Sequence, residues 1–258
     1  MRDVALIRVA TLLGFLGVWE LLARSGLVLE EILPPPTEVL TAALGMLRTE
    51  QFVADASLSA YEIAVGIVFG AAGGVVCGAL LGAYDYLYRL FEPLIYYFGA
   101  VPKIVLFPIL ILFLGTGYES KVGMAAISSF FPIIINSALA VREVNPVHVR
   151  AARSLGASRL AVWRKVYAPS TMGPVLSGVR LGLGVAITAT LLAETKVAQL
   201  GLGFRAVQYY AQLRIAEMYA LLFLVFAGAA IINWGLSYLI ARTTHYQQPS
   251  ATGTTSVA

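Results

Sequence analysis

The chain has 258 residues, 59% of them hydrophobic and only 12% charged, with a mean hydropathy of +0.81. A soluble domain carries about 25% charged residues, so this composition excludes an ordinary water-soluble protein and points to a chain that crosses a membrane. The net charge of +4 is small, and no nucleic-acid partner is expected from it.

Breaks at Pro, Gly and charge clusters predict six helical spans, about 4–24, 57–83, 91–115, 121–141, 171–194 and 216–240. Each meets the roughly 20 apolar residues needed to cross about 30 Å of hydrocarbon, whereas the short alternating segments of a β-barrel are not visible. The first span, within MRDVALIRVATLLGFLGVWELLARSG, lacks an A-x-A-like cleavage site and is interrupted by Trp19 and Glu20. It reads as a retained helix. Next, LPPPTEVLTAALGML predicts an amphipathic helix at the outer membrane face, with Thr37 as cap and Val39, Leu40, Ala43, Leu44 and Leu47 as its apolar stripe.

The second span contains GIVFGAAGGVVCGALLG, which sets Gly66, Gly70, Gly74, Gly78 and Gly82 at steps of four. Such a row forms a ridge on one helix face against which another backbone can pack closely. Gly178 and Gly182 repeat the spacing in the fifth span. Cys77 is the single cysteine and reads as a packing residue; His148 and His245 are far apart. No disulfide framework or metal site is expected. The tail 246–258 has no apolar periodicity and is expected to be disordered, leaving 1–245 as one all-α, polytopic membrane domain.

Six crossings place both termini on one side. With cytoplasmic termini, the inner set holds Arg2, Arg8, Arg89, Lys103, Arg142, Arg150, Arg153, Arg159, Arg164, Lys165, Arg180 and Arg242. The outer set is Arg24, Arg48, Lys121, Lys196, Arg205 and Arg214. The positive-inside rule therefore favours cytoplasmic termini.

The longest inner loop, about 142–170, carries VRAARSLGASRLAVWRKVYAPS, where five basic residues meet no acid. Its pattern is helix, turn, helix: Val147, Ala151 and Leu155 share a face, Gly156 ends the turn, Ser158 caps the second helix, and Pro169 closes the pair. One face is apolar and suited to anchoring, the opposite face basic and available to a partner. Contact with anionic lipid is the alternative reading of the same charges.

Arg150-Ala151-Ala152, then Gly156 and Val166-Tyr167-Ala168-Pro169, resembles the EAA motif of permease subunits of bacterial ATP-binding-cassette importers. Further segments, among them LPPPTEVL, AVPKIVLFPILILFLGTG, FFPIIINSALAVREV and LAETKVAQLGLGF, resemble in order the nitrate, sulfonate and taurine branch of that family. Arg150 stands where the motif has glutamate, and Ala168 where it has leucine.

The resemblance implies a type I importer permease fold in the bacterial inner membrane, with the loop as a coupling helix. Docking through Ala151, Ala152 and Leu155, flanked by Arg153, Ala157 and Ser158, tolerates the reversed charge at 150. It further implies a homodimer in contact with membrane lipid, an extracytoplasmic substrate-binding protein, and two ATPase subunits that hold ATP and Mg. No cofactor is expected in this chain, which shows no phosphate loop, no H-E-x-x-H and no nucleophile elbow and is not expected to be an enzyme.

The implied solute is a small anion, with a vitamin precursor or other small metabolite as alternative. Asn136, Ser137, Thr188, Thr190 and Glu194 are the candidates to line a path, against the competing reading that they hydrogen-bond within or between helices. For Glu194 a gate or loop anchor is an equal reading. No cluster of intramembrane arginines marks an anion site. Outside the class stand an ATP-independent channel or secondary transporter, expected to show ionisable pairs and broken helices, and a non-transporting scaffold or sensor.

Overall fold

The computed structural model describes residues 2–27 and 32–243; the expectation of a disordered tail at 246–258 lies outside them. All regular structure among the described residues is helical. The long helices are α1 (Arg2–Arg24), α3 (Glu50–Ala83), α6 (Tyr118–Arg142), α9 (Ala168–Val197) and α11 (Ile215–Thr243). Between them lie α2 (Pro36–Met46), α4 (Asp85–Ala100), α5 (Phe107–Leu114), α7 (Pro146–Ser154), α8 (Arg159–Val162) and α10 (Leu202–Ala211).

Among the described residues, five helical segments are long and apolar enough to cross a membrane: Leu6–Arg24, Glu50–Ala83, Tyr118–Arg142, Arg159–Val197 and Ile215–Tyr238. The expected third span, 91–115, is not one rod. Asp85–Ala100 and Lys103–Leu114 meet at 90°, and they supply a sixth span only if counted together. Pro102 explains the break: it offers no N–H to continue α4 and biases Val101 to its extended conformation, ψ 134°. A single turn of 3-10 helix, Lys103–Leu106, then restarts the chain into α5.

The chain falls into two compact units, Met1–Tyr61 with Leu191–Ala229, and Glu62–Thr190 with Ala230–Ala258. In the first, α2 buries Val39, Ala43 and Met46 against Ala220 and Leu221 of α11. The expected stripe is thereby split, because Leu40, Leu44 and Leu47 stay exposed. Thr37 does not cap its own helix. Pro35 is the N-cap residue, and Glu20 of α1 accepts from the Thr37 backbone N–H (3.2 Å) and from its hydroxyl (2.9 Å). A carboxylate at a helix N-terminus meets both an orphan donor and the positive end of the dipole. The residue that interrupts the apolar run of α1 is thus the cap of α2.

The second unit is built around α6, whose span is 56% buried against 28% or less in the other four. The glycine ridge of α3 lies on it. An added Cβ would sit 3.0 Å from Val122 O at Gly66, 2.7 Å from Ala126 O at Gly70 and 3.1 Å from Phe130 O at Gly74. At Gly78 and Gly82 it would meet the Ile134 and Ala138 carbonyls at 2.6 Å. Backbone rests on backbone over four turns, so any side chain on the ridge forces the helices apart. On another face of α6, Gly178 and Gly182 of α9 receive Asn136 and Ile133.

Candidate functional site: the α7 turn, the α10 anchor and the span polar groups

Asn145 starts α7 by accepting the Val147 N–H at 2.9 Å, with Pro146 inside the first turn. The helix ends in a Schellman closure: Ala157 N–H donates to Ala152 O (3.1 Å) and Gly156 N–H to Arg153 O (2.9 Å). Gly156 has φ +79°, the left-handed region that this closure demands and that glycine reaches at little cost. Ser158 Oγ then accepts the Ala161 N–H at 3.2 Å to begin α8. Every cap of the turn is supplied within fourteen residues, so its shape needs no distant partner.

The faces differ from expectation. Val147, Ala151 and Leu155 do share a face, but that face is exposed, with Leu155 89% accessible. Val149 and Ala152 are half-buried and Val162 is buried, so these residues, not the 147/151/155 stripe, turn inward. The reason is that α7 carries two apolar stripes, offset by one position, and the Gly156 turn carries Leu155 outward. Arg150, Arg153, Ala157 and Ser158 flank the exposed stripe; Arg150, Arg153 and Ser158 are exposed and Ala157 is half-buried.

Pro169 does not end a helix. Trp163–Tyr167 forms a π-turn, with the Trp163 and Tyr167 rings stacked at 4.6 Å, and Pro169 follows in the first turn of α9. The widened turn admits proline where α-helical spacing would clash, so the helical run continues from Arg159 to Val197.

Glu194 is fully buried near the end of α9 and belongs to an anchor. The N-terminus of α10 presents three consecutive backbone donors, and three side chains take them. Asp55 Oδ1 accepts from Gly201 N–H (2.9 Å), Ser59 Oγ from Leu202 N–H (2.9 Å), and Glu194 Oε2 from Gly203 N–H (2.6 Å). The Ser59 hydroxyl donates in turn to Glu194 Oε1 at 2.5 Å. Arg205 Nε closes the set on Asp55 Oδ2 at 2.7 Å and its Nη1 reaches Gln208.

Gly201 has φ +112°, and a Cβ there would lie 2.6 Å from Glu194 Cδ. The two glycines of LGLGF therefore let the backbone reach the carboxylate. With both oxygens engaged and the group sealed from solvent, the geometry fits the loop-anchor reading of Glu194. Asp55, Ser59 and Arg205 are functional neighbours that the sequence reading missed; the signal available was a row of polar residues at 55, 59 and 62 along one face of α3.

The remaining polar candidates separate. Asn136 donates to Pro132 O within α6 (2.7 Å), at the crossing with Gly178. Ser137 is buried opposite Gly78 in the α3 contact, and neither its hydroxyl nor that of buried Thr190 has a hydrogen-bond partner among the described residues. Thr188 is exposed on α9 and satisfies its hydroxyl on Gly184 O (3.1 Å). Lys103 donates to Gly99 O and lies 4.7 Å over the Phe131 ring. Arg180, counted among the inner basic residues, is inside α9, where its Nε donates to Asn233 Oδ1 of α11 at 2.7 Å. No group of three or more His, Cys, Asp or Glu that could hold a metal occurs among the described residues.

Residues 70–249 match the family model described as the binding-protein-dependent transport system inner membrane component. The chain belongs to this family. As one of these inner membrane components it is 32% identical over 209 residues to the taurine transport system permease protein TauC of Escherichia coli, covering 79% of this chain and 75% of that one. It is 33% identical over 193 residues to a probable ABC transporter permease of Brucella melitensis, covering 75% and 77% of the two chains. A bicarbonate transport system permease protein, CmpB of Synechocystis, is 27% identical over 240 residues, with 88% and 85% covered. Among solved structures, an inward-facing methionine ABC transporter, MetNI, matches with a TM-score of 0.67 at 20% identity, over 76% of this chain and 97% of that one. The fold is that of a type I ABC importer permease, and the chain is a multi-pass membrane protein.

Proposed function

We propose that this permease subunit forms, as a homodimer in the bacterial inner membrane, the solute path of an ATP-driven importer of small anions. Two cytoplasmic ATP-binding subunits supply the work, with ATP and Mg held there and not in this chain. An extracytoplasmic binding protein delivers the solute. Both termini face the cytoplasm, which puts α7 on the side of the ATPases.

The observation that carries the reading is the α7 turn: a self-capped helix ending in an exposed leucine, flanked by Ala151, Arg150 and Arg153. An exposed leucine on a rigid turn gains by entering a groove, and the basic neighbours bias that groove toward acidic lining. Because the turn joins the Arg159–Val197 helical run, a displacement of α7 reaches the membrane-spanning part without a slack linker. ATP binding would draw the two turns together and open the path outward; hydrolysis would reset it. The solute class is supported by the relatives named for taurine, aliphatic sulfonates and bicarbonate, all of which carry an anionic group at neutral pH.

The test is Leu155→Asp in the assembled transporter, reconstituted in vesicles and supplied with taurine-loaded binding protein. The expected result is loss of solute-stimulated ATP hydrolysis and of uptake, with the permease still folded by size exclusion. Stimulation at the unsubstituted level would overturn the docking role.

A further inference from the structure

Four arginines among the described residues are neutralised by carboxylates: Arg24 by Glu20, Arg142 by Asp85, Arg205 by Asp55 and Arg214 by Glu217, at 2.6 to 2.8 Å. Arg180 is different. Among the described residues its side-chain partner is the amide oxygen of Asn233, which orients the guanidinium but brings no negative charge to it. The position makes that costly. Arg180 lies about 13 Å along the axis from Thr171 and about 21 Å from Glu194, within the apolar run of α9. An intramembrane charge of this kind marks a cavity or a ligand.

The exposed surface around it mixes polar groups with apolar Leu181 and Val185. Ser177, Arg180, Gly184 and Thr188 are all exposed and recur at steps of three, four and four, which returns them to one face of α9. Beside Gly184 the space is open, with nothing within 4 Å of an added Cβ. The Asn233 contact uses Nε alone, so the edge carrying Nη1 and Nη2 has two parallel donors left, the geometry that grips an oxyanion with two bonds.

We propose that Arg180, oriented by Asn233, is the oxyanion-binding residue of the solute path, taking a sulfonate, carboxylate or bicarbonate group through its Nη edge. The proposal rests on the reading of this chain as a solute path and adds the side chain that would select the anion. A phospholipid phosphate has the same chemistry, and the experiment separates the two.

The experiment labels a thiol introduced by Gly184→Cys, in a Cys77→Ser background because Cys77 is exposed. The complete transporter is held in vesicles of phosphatidylcholine, with and without phosphatidylglycerol. Ethylsulfonate and ethyltrimethylammonium thiosulfonates are compared. With each rate divided by that of the same reagent on a free thiol in solution, a full positive charge roughly 6 Å away along the helix should favour the anionic reagent about fivefold over the cationic one. Arg180→Gln should abolish the preference, Arg180→Lys should keep it, and ethanesulfonate should protect the thiol from both reagents.

Failure of both reagents would put the face in lipid and overturn the proposal, as would a preference that survives Arg180→Gln. Protection that depends on phosphatidylglycerol and not on ethanesulfonate would assign the site to lipid and also overturn it. If Arg180→Gln does not assemble, ethanesulfonate protection of the unsubstituted arginine decides alone. Labelling needs no transport, so absent uptake of taurine, ethanesulfonate and bicarbonate alike with intact charge preference breaks the importer reading, while the reverse breaks only the Arg180 site.

Discussion

The C-terminal end of α7 and the N-terminal end of α10 solve one problem in opposite ways. At α7 the orphan backbone groups are taken by the chain itself, through the Schellman closure and the caps of Asn145 and Ser158. At α10 they are taken by Asp55, Ser59 and Glu194; Asp55 and Ser59 lie more than a hundred positions away in sequence. The first end keeps its shape whatever surrounds it, which suits a piece that must dock and move as a body. The second exists only when α3, α9 and α10 are assembled, which suits a fixed anchor. Substitutions at α10 should therefore cost stability, and substitutions at α7 should cost coupling.

The largest effect is expected for Asp55→Ala, which strands the Arg205 guanidinium in a buried site. Breaking a buried pair from one side costs about 3–5 kcal/mol. Thermal unfolding in detergent should show it as a large drop in midpoint. Replacing both partners, Asp55→Leu with Arg205→Met, should cost less than the single change; an equal or greater loss would mean the carboxylate matters as a cap of α10 more than as a counter-ion.

Glu194→Gln comes next. The amide keeps the volume but turns one acceptor into a donor facing either Gly203 N–H or the Ser59 hydroxyl, a buried mismatch worth about 1–3 kcal/mol. Protection of the Gly201 to Gly203 amides against hydrogen exchange should fall with it.

Gly156→Ala is smaller, about 1 kcal/mol, because the cost is purely the left-handed φ and an added Cβ would meet nothing. It should appear as faster exchange at Gly156 and Ala157. Leu155→Asp should change stability least, under about 0.5 kcal/mol, since the side chain makes almost no intramolecular contact. Its expected effect is instead on solute-stimulated ATP hydrolysis. A large stability loss at Leu155 would collapse the distinction between the two helix ends.

What could be read from sequence follows the same division. The Gly156 turn, the Ser158 cap and the glycine ridge were legible because each is a matter of local spacing. The role of Glu194 was legible only as one of several alternatives, since its partners in α3 are 135 positions away and nothing local names them. The cap of α2 was assigned to Thr37 by the rule for serine and threonine at helix starts; a carboxylate from α1 took the position because folding brings Glu20 within reach.

Spacing alone gives the Val147, Ala151 and Leu155 stripe of α7 an anchoring role, because an apolar stripe ordinarily packs against something, and its exposure in the fold is what spacing does not reveal. Arg180 was counted with the loop charges although its position within the fifth span was already plain. The bend of the third span was written in Pro102, but mean apolarity on both sides concealed it.

That bend also bears on how the chain is made. Asp85–Ala100 has 16 residues and Phe107–Leu114 has 8, each below the roughly 20 that a helix needs to partition into a bilayer unaided. As the nascent chain leaves the ribosome, this is the segment least able to enter the lipid alone. Its insertion is expected to wait for α6, whose buried face supplies the company that neither half can provide.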